Sequence, residues 1–279
     1  MSESVQAKRA AFRALHDKGC FVLPNPWDVG SARMLQGLGF QALATTSSGH
    51  AWSLGRPDGT TSRAVILAHV RELVEATGLP VNLDFEDGFA DAPEGVTESV
   101  RMAIASGVAG VSIEDSTGDP ARPVRDIEDA IARVRAARVA VDEAGGDVML
   151  VGRAENFFLG IPDLDDTIRR LRAYAEAGAD CLYAPGIRTR EQITAVVQAV
   201  APKPLNLLVG APIGLTVAEI AELGVRRISI GGGLARAAWG GFLRAARALA
   251  QEGSFEGLAD ATPGKELNGF FRQFADSRA

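Results

Sequence analysis

The sequence predicts an α/β fold, a (β/α)8 TIM barrel. Three observations predict it. Eight short apolar runs rich in β-branched residues alternate with Ala-, Leu- and Arg-rich stretches of helical period. A glycine separates helical stretch from following run at Gly78, Gly107, Gly145, Gly178 and Gly224, where a left-handed C-cap belongs. Polar and acidic residues gather at the C-terminal ends of the runs, the end at which such barrels carry their chemistry.

The first run, Phe21–Leu23, leads to Pro24 and Asn25, and the second, Ala42–Thr45, leads to Thr46-Ser47-Ser48-Gly49. The helical stretch Ser62–Ala76 places Ile66, Val70, Leu73 and Val74 on one face, with Thr61 or Ser62 as its cap. Val81–Asp84 then runs into Phe85-Glu86-Asp87, Gly110–Glu114 into Asp115, and Val148–Arg153 into Ala154-Glu155-Asn156. A second helical stretch, Asp163–Ala177, aligns Ile168, Leu171 and Tyr174. Cys181–Ala184, Leu205–Leu208 with Asn206, and Arg227–Ile230 with Gly231-Gly232-Gly233 complete the set. An open doubly wound sheet is disfavoured, because no GxGxxG follows the first run and eight strands suit closure.

Past the eighth run comes a long helical stretch, Leu234–Gln251, and then Phe255, Leu258, Leu267, Phe270, Phe271 and Phe274. We read residues 1–279 as one barrel domain with 254–279 as a helical extension. Its aromatic surplus needs a cover, preferably the interface of a homo-oligomer.

The 279 residues are 47% hydrophobic and 23% charged, enough to bury a large core, which excludes disorder. No apolar run approaches the roughly 20 residues of a membrane span. Met1–Ala10 is polar, unlike a signal peptide, so a cytoplasmic location is expected. Cys20 and Cys181 stand far apart and outside any CxxC pair, against a disulfide framework or a zinc site, and both read as small buried apolar residues. The net charge of −6 argues against a nucleic-acid partner. His16 and His69 fall in helical stretches and read as surface residues, while His50 follows the Thr46–Gly49 segment.

Asp84, Glu86, Asp87, Glu114 and Asp115 crowd the ends of two adjacent strands, where bare carboxylates repel one another. A divalent cation is the simplest remedy, and an all-oxygen set points to Mg²⁺ or Mn²⁺. Some of these acids have a second reading, as partners of Arg153 or caps of the next helix. Arg153 requires an anion beside it: a substrate carboxylate gripped as a fork, or Glu155 or Glu114. Hydroxyls and backbone N–H groups of Thr46–Gly49 can hold an oxyanion. Gly231–Gly233 permits either a phosphate cradle or close helix–strand packing.

Several stretches together resemble the isocitrate lyase/phosphoenolpyruvate mutase superfamily over nearly the whole chain. They are Pro24-Asn25-Pro26-Trp27-Asp28-Val29-Gly30-Ser31-Ala32-Arg33, Ala44–Gly49, Leu54-Gly55-Arg56-Pro57-Asp58, Asp84-Phe85-Glu86-Asp87-Gly88-Phe89, Gly110–Asp115, Gly152-Arg153-Ala154-Glu155 and Gly224–Ala237. The resemblance implies a Mg²⁺-dependent barrel whose last helix is exchanged between subunits of a dimer or tetramer. It implies chemistry beside a 2-oxo acid through an enolate-like species. Asp84 then matches the direct metal ligand, with Glu86 and Glu114 acting through its waters. Glu86 replaces the shorter Asp usual there. Thr46, Ser47, Ser48 and Gly49 match the loop that binds the substrate carboxylate and enolate oxygen. Asp58 matches the acid that closes over the site, Arg153 the carboxylate clamp, and Asn206 and Arg236 further substrate-side positions.

The departures narrow the chemistry. The lyases of isocitrate and methylisocitrate carry a Lys-Cys-Gly-His loop after the fourth strand. Here the loop reads Ser116-Thr117-Gly118-Asp119-Pro120-Ala121-Arg122-Pro123. The glutamate usual after the sixth strand is also missing, replaced by Tyr183-Ala184-Pro185-Gly186. A Mg²⁺-dependent lyase cleaving a C–C bond next to a 2-oxo acid, oxaloacetate-decarboxylase-like, is the reading that asks least of these residues. The alternatives are C–P chemistry, as a phosphonomutase or phosphonopyruvate hydrolase, and a non-catalytic barrel that binds a dicarboxylate.

Overall fold

Each predicted run forms a strand: β1 (Phe21–Leu23), β2 (Leu43–Ala44), β3 (Val81–Asp84), β4 (Gly110–Glu114), β5 (Met149–Arg153), β6 (Cys181–Tyr183), β7 (Leu205–Leu208) and β8 (Arg227–Ser229). The structure, a computed structural model, describes residues 4–274. All strands lie parallel in one sheet, in the order β1-β8-β7-β6-β5-β4-β3-β2. The sheet curls into a nearly closed (β/α)8 barrel. Its seam is between β1 and β2, where Ala44 N–H donates to Pro24 C=O at 3.0 Å. Asn25 reinforces it: Nδ2 donates to Thr45 C=O at 2.8 Å, while Oδ1 accepts from Ile230 and Gly231 N–H at 2.9 and 2.8 Å.

The strands stop short of some predicted ends because side chains and turns take over there. Thr45 falls outside β2, and its hydroxyl accepts from Asp84 N–H at 2.8 Å. Around the barrel run α1 (Val5–Asp17), α2 (Val29–Gly37), α3 (Ser47–Ser53), α4 (Arg63–Ala76), α5 (Pro93–Ala105), α6 (Ile127–Glu143), α7 (Leu164–Glu176), α8 (Arg190–Val200) and α9 (Val217–Glu222). Asp28, Thr189 and Thr216 close capping boxes on α2, α8 and α9. Ser62 precedes α4, but its side chain makes no capping bond. Of the five helix-closing glycines, Gly107, Gly145, Gly178 and Gly224 are left-handed, whereas α4 ends at an extended Thr77 and Gly78 N–H goes to Gln36.

Helix α1 is fastened to the barrel by its cations. Lys8 Nζ donates to the carbonyls of Val74 and Thr77, and Arg9 to those of Ile104 and Val108, covering the ends of α4 and α5. Arg13 donates to the carbonyls of Gly146, Asp147 and Val148. Phe12 thereby packs with Phe21, Leu23, Met149, Cys181 and Tyr183 of the inner core. Gly110 makes room, since a Cβ there would lie 2.9 Å from the Phe12 ring. The outer core fills the space between strands and helices with residues such as Val70, Leu83, Val100, Val111, Leu150 and Leu171. His16 and His69, expected at the surface, are buried: His16 packs edge-on to Phe12 and Phe21, and His69 stacks on His50.

The chain divides into two compact units, residues up to Gly232 and residues from Gly233 on. The second contains α10 (Gly233–Glu252), a 3-10 turn at Glu256–Leu258 and α11 (Gly264–Arg272). Gly257 lets the turn touch α10, because a Cβ there would lie 2.7 Å from Ala245 Cα. Residues 275–279, the end of the expected 254–279 extension, lie outside the described residues.

Candidate active site

Arg153, last in β5, organises the C-terminal mouth of the barrel. Its Nη1 is 3.2 Å from Asp84 Oδ1 on β3 and 3.1 Å from Glu114 Oε2 on β4, and its Nε donates to Glu155. The neighbouring registers make this possible, with Glu114 paired to Arg153 and Arg153 to Tyr183. The guanidinium carbon lies 5.1 Å from the Tyr183 ring centroid and 5.8 Å from that of Phe158, within cation–π range.

Two of the five crowded acids are engaged elsewhere. Asp87 pairs with Arg125 at 2.6 Å, and the fully buried Arg133 binds the Asp87 and Ala90 carbonyls. Asp115 is 1% exposed and has three partners: Tyr174 Oη at 2.5 Å, Arg170 Nη1 at 3.2 Å and the Glu155 N–H at 2.8 Å. It thus fixes the backbone of the residue that holds Arg153 Nε.

Thr46 N-caps α3, its hydroxyl accepting from Gly49 N–H at 3.3 Å and lying 3.1 Å from Ser48 Oγ. Ser47 N–H donates to Asp84 Oδ2 at 3.4 Å, and the Ser47 side chain bonds the carboxyl of Asp58. Asp58 comes from the exposed segment between α3 and α4, so that segment reaches down to the acids. The glycine run packs closely against its neighbours. Gly231 N–H is used by Asn25, and a Cβ on Gly232 would meet Ser48 Oγ at 2.7 Å and the Trp52 ring at 3.1 Å.

Electrostatically the mouth is over-supplied with acid. Asp58, Asp84, Glu86, Glu114 and Glu155 all face the guanidinium of Arg153. Burial pushes Glu86 up to about 8, and Asp84 and Asp58 add to the rise. Burial raises Glu114 as well, against the pull of Arg153. Glu86 also has a left-handed backbone, φ 46°, and its buried Oε1 has no hydrogen-bond partner. Among the described residues no three acids, imidazoles or thiols converge as a closed metal cage. Mg²⁺ does not need one, because it keeps several waters and takes one or two carboxylates. An orphaned carboxylate oxygen in a surplus of hard oxygen donors fits such an ion, with Asp84, Glu86 and Glu114 as the residues to hold it.

Asn206 is fully buried and both ends of its amide are taken, Oδ1 by Arg227 Nε at 2.8 Å and Nδ2 by Ser229 Oγ at 2.9 Å. Arg236 lies in α10, within the second unit. Tyr183 and Ser229 escaped sequence reasoning as site residues. The signal was the alternation Cys181, Tyr183 on β6, which puts both on the inner face.

A protein-family model described as phosphoenolpyruvate phosphomutase matches residues 12–250. An uncharacterized protein of Mycobacterium tuberculosis (strain ATCC 25618 / H37Rv) is 34% identical over 226 residues, covering 79% of this chain and 81% of that protein. Oxaloacetate decarboxylase of Paraburkholderia xenovorans (strain LB400) is 31% identical over 231 residues, covering 79% of this chain and 74% of the relative. A crystal structure from Burkholderia cenocepacia J2315, described as that of a lyase/mutase, superposes with a TM-score of 0.93 at 47% identity, over 96% of this chain and 98% of the other.

Proposed function

The chain belongs to the phosphoenolpyruvate phosphomutase family, within the isocitrate lyase/phosphoenolpyruvate mutase superfamily, and from that premise we propose that it is a divalent-metal-dependent lyase breaking a C–C bond beside a 2-oxo acid. Decarboxylation of an oxaloacetate-like acid is the form we favour. The observation that carries the reading is the set of Asp58, Asp84, Glu86, Glu114 and Glu155 around Arg153.

Asp84, Glu86 and Glu114 would hold a divalent cation, and the chemistry it would supply is electrostatic stabilisation of charge developing on the 2-oxo oxygen. The remaining steps belong to the chain. Arg153 exchanges a carboxylate partner for the substrate carboxylate, keeping its fork satisfied. Thr46, Ser47, Ser48 and Gly49 line the same mouth with hydroxyls and N–H groups, and Asp58 closes from above. Bond cleavage releases CO₂ and leaves its electron pair on the carbon, which takes a proton from water. The Ser116–Pro123 loop has no Lys, Cys or His acid, and this step requires none.

C–P chemistry fits less well. The loop's Thr117 hydroxyl is spent on the Arg122 carbonyl at 2.6 Å, and the Gly231 N–H of the glycine run is spent on Asn25. The oligomer is part of the proposal. In the single chain Trp239, Phe242, Leu249, Phe255 and Leu258 stand exposed, and a second copy exchanging its C-terminal helix would cover them, as the resemblance implies. The deciding assay offers oxaloacetate, a substituted malate and phosphonopyruvate side by side with Mg²⁺ and an EDTA control. Metal-dependent pyruvate from oxaloacetate alone supports the decarboxylase. Pyruvate with phosphate from phosphonopyruvate moves the assignment to C–P chemistry, and no turnover leaves a dicarboxylate-binding barrel.

A further inference from the structure

Four side chains inside the barrel form a relay that ends beside Arg153. Arg227 Nε donates to Asn206 Oδ1 at 2.8 Å, and Asn206 Nδ2 donates to Ser229 Oγ at 2.9 Å. Ser229 is in turn the hydrogen-bond partner of the Tyr183 hydroxyl. Tyr183 ends β6, paired in register with Arg153, and its ring centroid is 5.1 Å from the guanidinium carbon. All four are nearly inaccessible, with Tyr183, at 8%, the most exposed.

The relay has a fixed direction. A guanidinium only donates, so the amide oxygen of Asn206 faces Arg227 and its NH₂ faces Ser229. Ser229 Oγ therefore accepts from the amide. Whichever hydroxyl donates in the Ser229–Tyr183 pair, one hydroxyl hydrogen is left unspent within the relay, and the phenol is the group beside Arg153. Burial pushes the phenol up to about 12, so the proton is present throughout the neutral range.

We propose that Tyr183 is a further substrate-binding residue, donating its O–H to the oxo acid whose carboxylate Arg153 grips. This rests on the 2-oxo-acid reading above. Asn206, Ser229 and Arg227 are then positioning residues, which act by aiming the phenol. Arg153 and Tyr183, adjacent on β5 and β6, would read two neighbouring oxygens of one planar acid.

The test uses oxalate, two joined carboxyl groups in the shape of a planar oxo acid, titrated calorimetrically into the full chain with Mg²⁺. Tyr183→Phe keeps the ring beside Arg153 and should weaken oxalate at least tenfold. Ser229→Ala should weaken it less, since the phenol stays but is no longer aimed. The chain has two tyrosines, so ¹³Cζ-tyrosine NMR of the wild type gives a second readout. Oxalate should shift one resonance, and Tyr174→Phe identifies it as Tyr183 without touching the relay. Arg153→Met separates the two levels of the proposal. Oxalate binding lost in Arg153→Met but unchanged in Tyr183→Phe, or an unmoved Tyr183 resonance, overturns the Tyr183 assignment alone. No oxalate binding by the wild type, or binding indifferent to Arg153→Met, overturns the 2-oxo-acid reading and the assignment with it.

Discussion

The imidazole rings of His50 and His69 lie face to face, with centroids 3.6 Å apart and planes 10° from parallel. The stack joins α3, which follows the Thr46 cap, to α4, which follows the Asp58 segment. Burial lowers both rings; His69, lowered to about 3, is pushed further the same way by His50, whereas a Trp27 backbone hydrogen bond and Glu72 oppose the shift in His50. His16 is lowered to about 3 by burial and then by Arg227. The unfolded chain protonates these groups near 6.5, so the stability they contribute is complete above that pH and is lost as pH falls toward about 3. At pH 5, His16 and His69 should each remove about 2 kcal/mol relative to pH 7.5. Urea midpoints at the two pH values measure this, and His69→Gln should remove about half of the difference; a midpoint unaffected by pH refutes it.

Asp84→Ala should reduce metal-stimulated turnover at least 100-fold and abolish the rise in Tm caused by Mg²⁺, while the fold persists by circular dichroism. Glu86→Gln should act in two directions. It removes a buried carboxyl whose Oε1 has no partner, so the protein in EDTA should gain about 1–3 kcal/mol. Its response to Mg²⁺ should shrink. Wild-type metal response in both variants would falsify the metal assignment.

Arg153→Ala should raise KM for a carboxylate substrate by roughly 10- to 100-fold, and Arg153→Lys should recover little of it, because an ammonium cannot reproduce the fork. Steady-state kinetics decide this. An unchanged KM in both variants removes the clamp.

Asp115 stands within the acidic cluster yet should matter chiefly for stability. Asp115→Ala strips partners from Tyr174, Arg170 and the Glu155 N–H together, and should cost about 3–5 kcal/mol in urea unfolding. A loss below about 1 kcal/mol, the scale of a surface ion pair, would contradict the buried triad.

Truncation after Gly253 removes Phe255, Leu258 and α11. Light scattering should show the assembly dissociating, and an unchanged mass would remove the exchanged helix from the proposal.

Much of this was legible in the residues. Each strand announced itself as a short apolar run, and acids at strand ends marked the mouth because the barrel geometry assigns that end its chemistry. The pairing of those acids was not legible. Asp87 and Asp115 have the same composition around them as Asp84 and Glu114, and only packing brings Arg125, Arg133 and Arg170 to the first two. The burial of His16 was hidden because nothing local says that α1 lies under the inner core, a placement set by cations meeting carbonyls far along the chain. Tyr183 was hidden because its one signal, the alternation Cys181, Tyr183, spans a single three-residue strand and does not by itself mark which face is the inner one.

The seam between β1 and β2 bears on how the molecule comes into being. β1 has its ladder with β8, Phe21 opposite Arg227, and meets β2 mainly through Ala44 N–H and Asn25. On a ribosome the earliest strand made is therefore among the last to be paired. Its edge waits while nearly the whole remaining barrel is synthesised, and closure joins residues about as distant in sequence as the fold allows. Such late, long-range zippering slows folding and leaves a half-built sheet open to other chains. For a crowded cell, that interval is when this protein has most need of a chaperone.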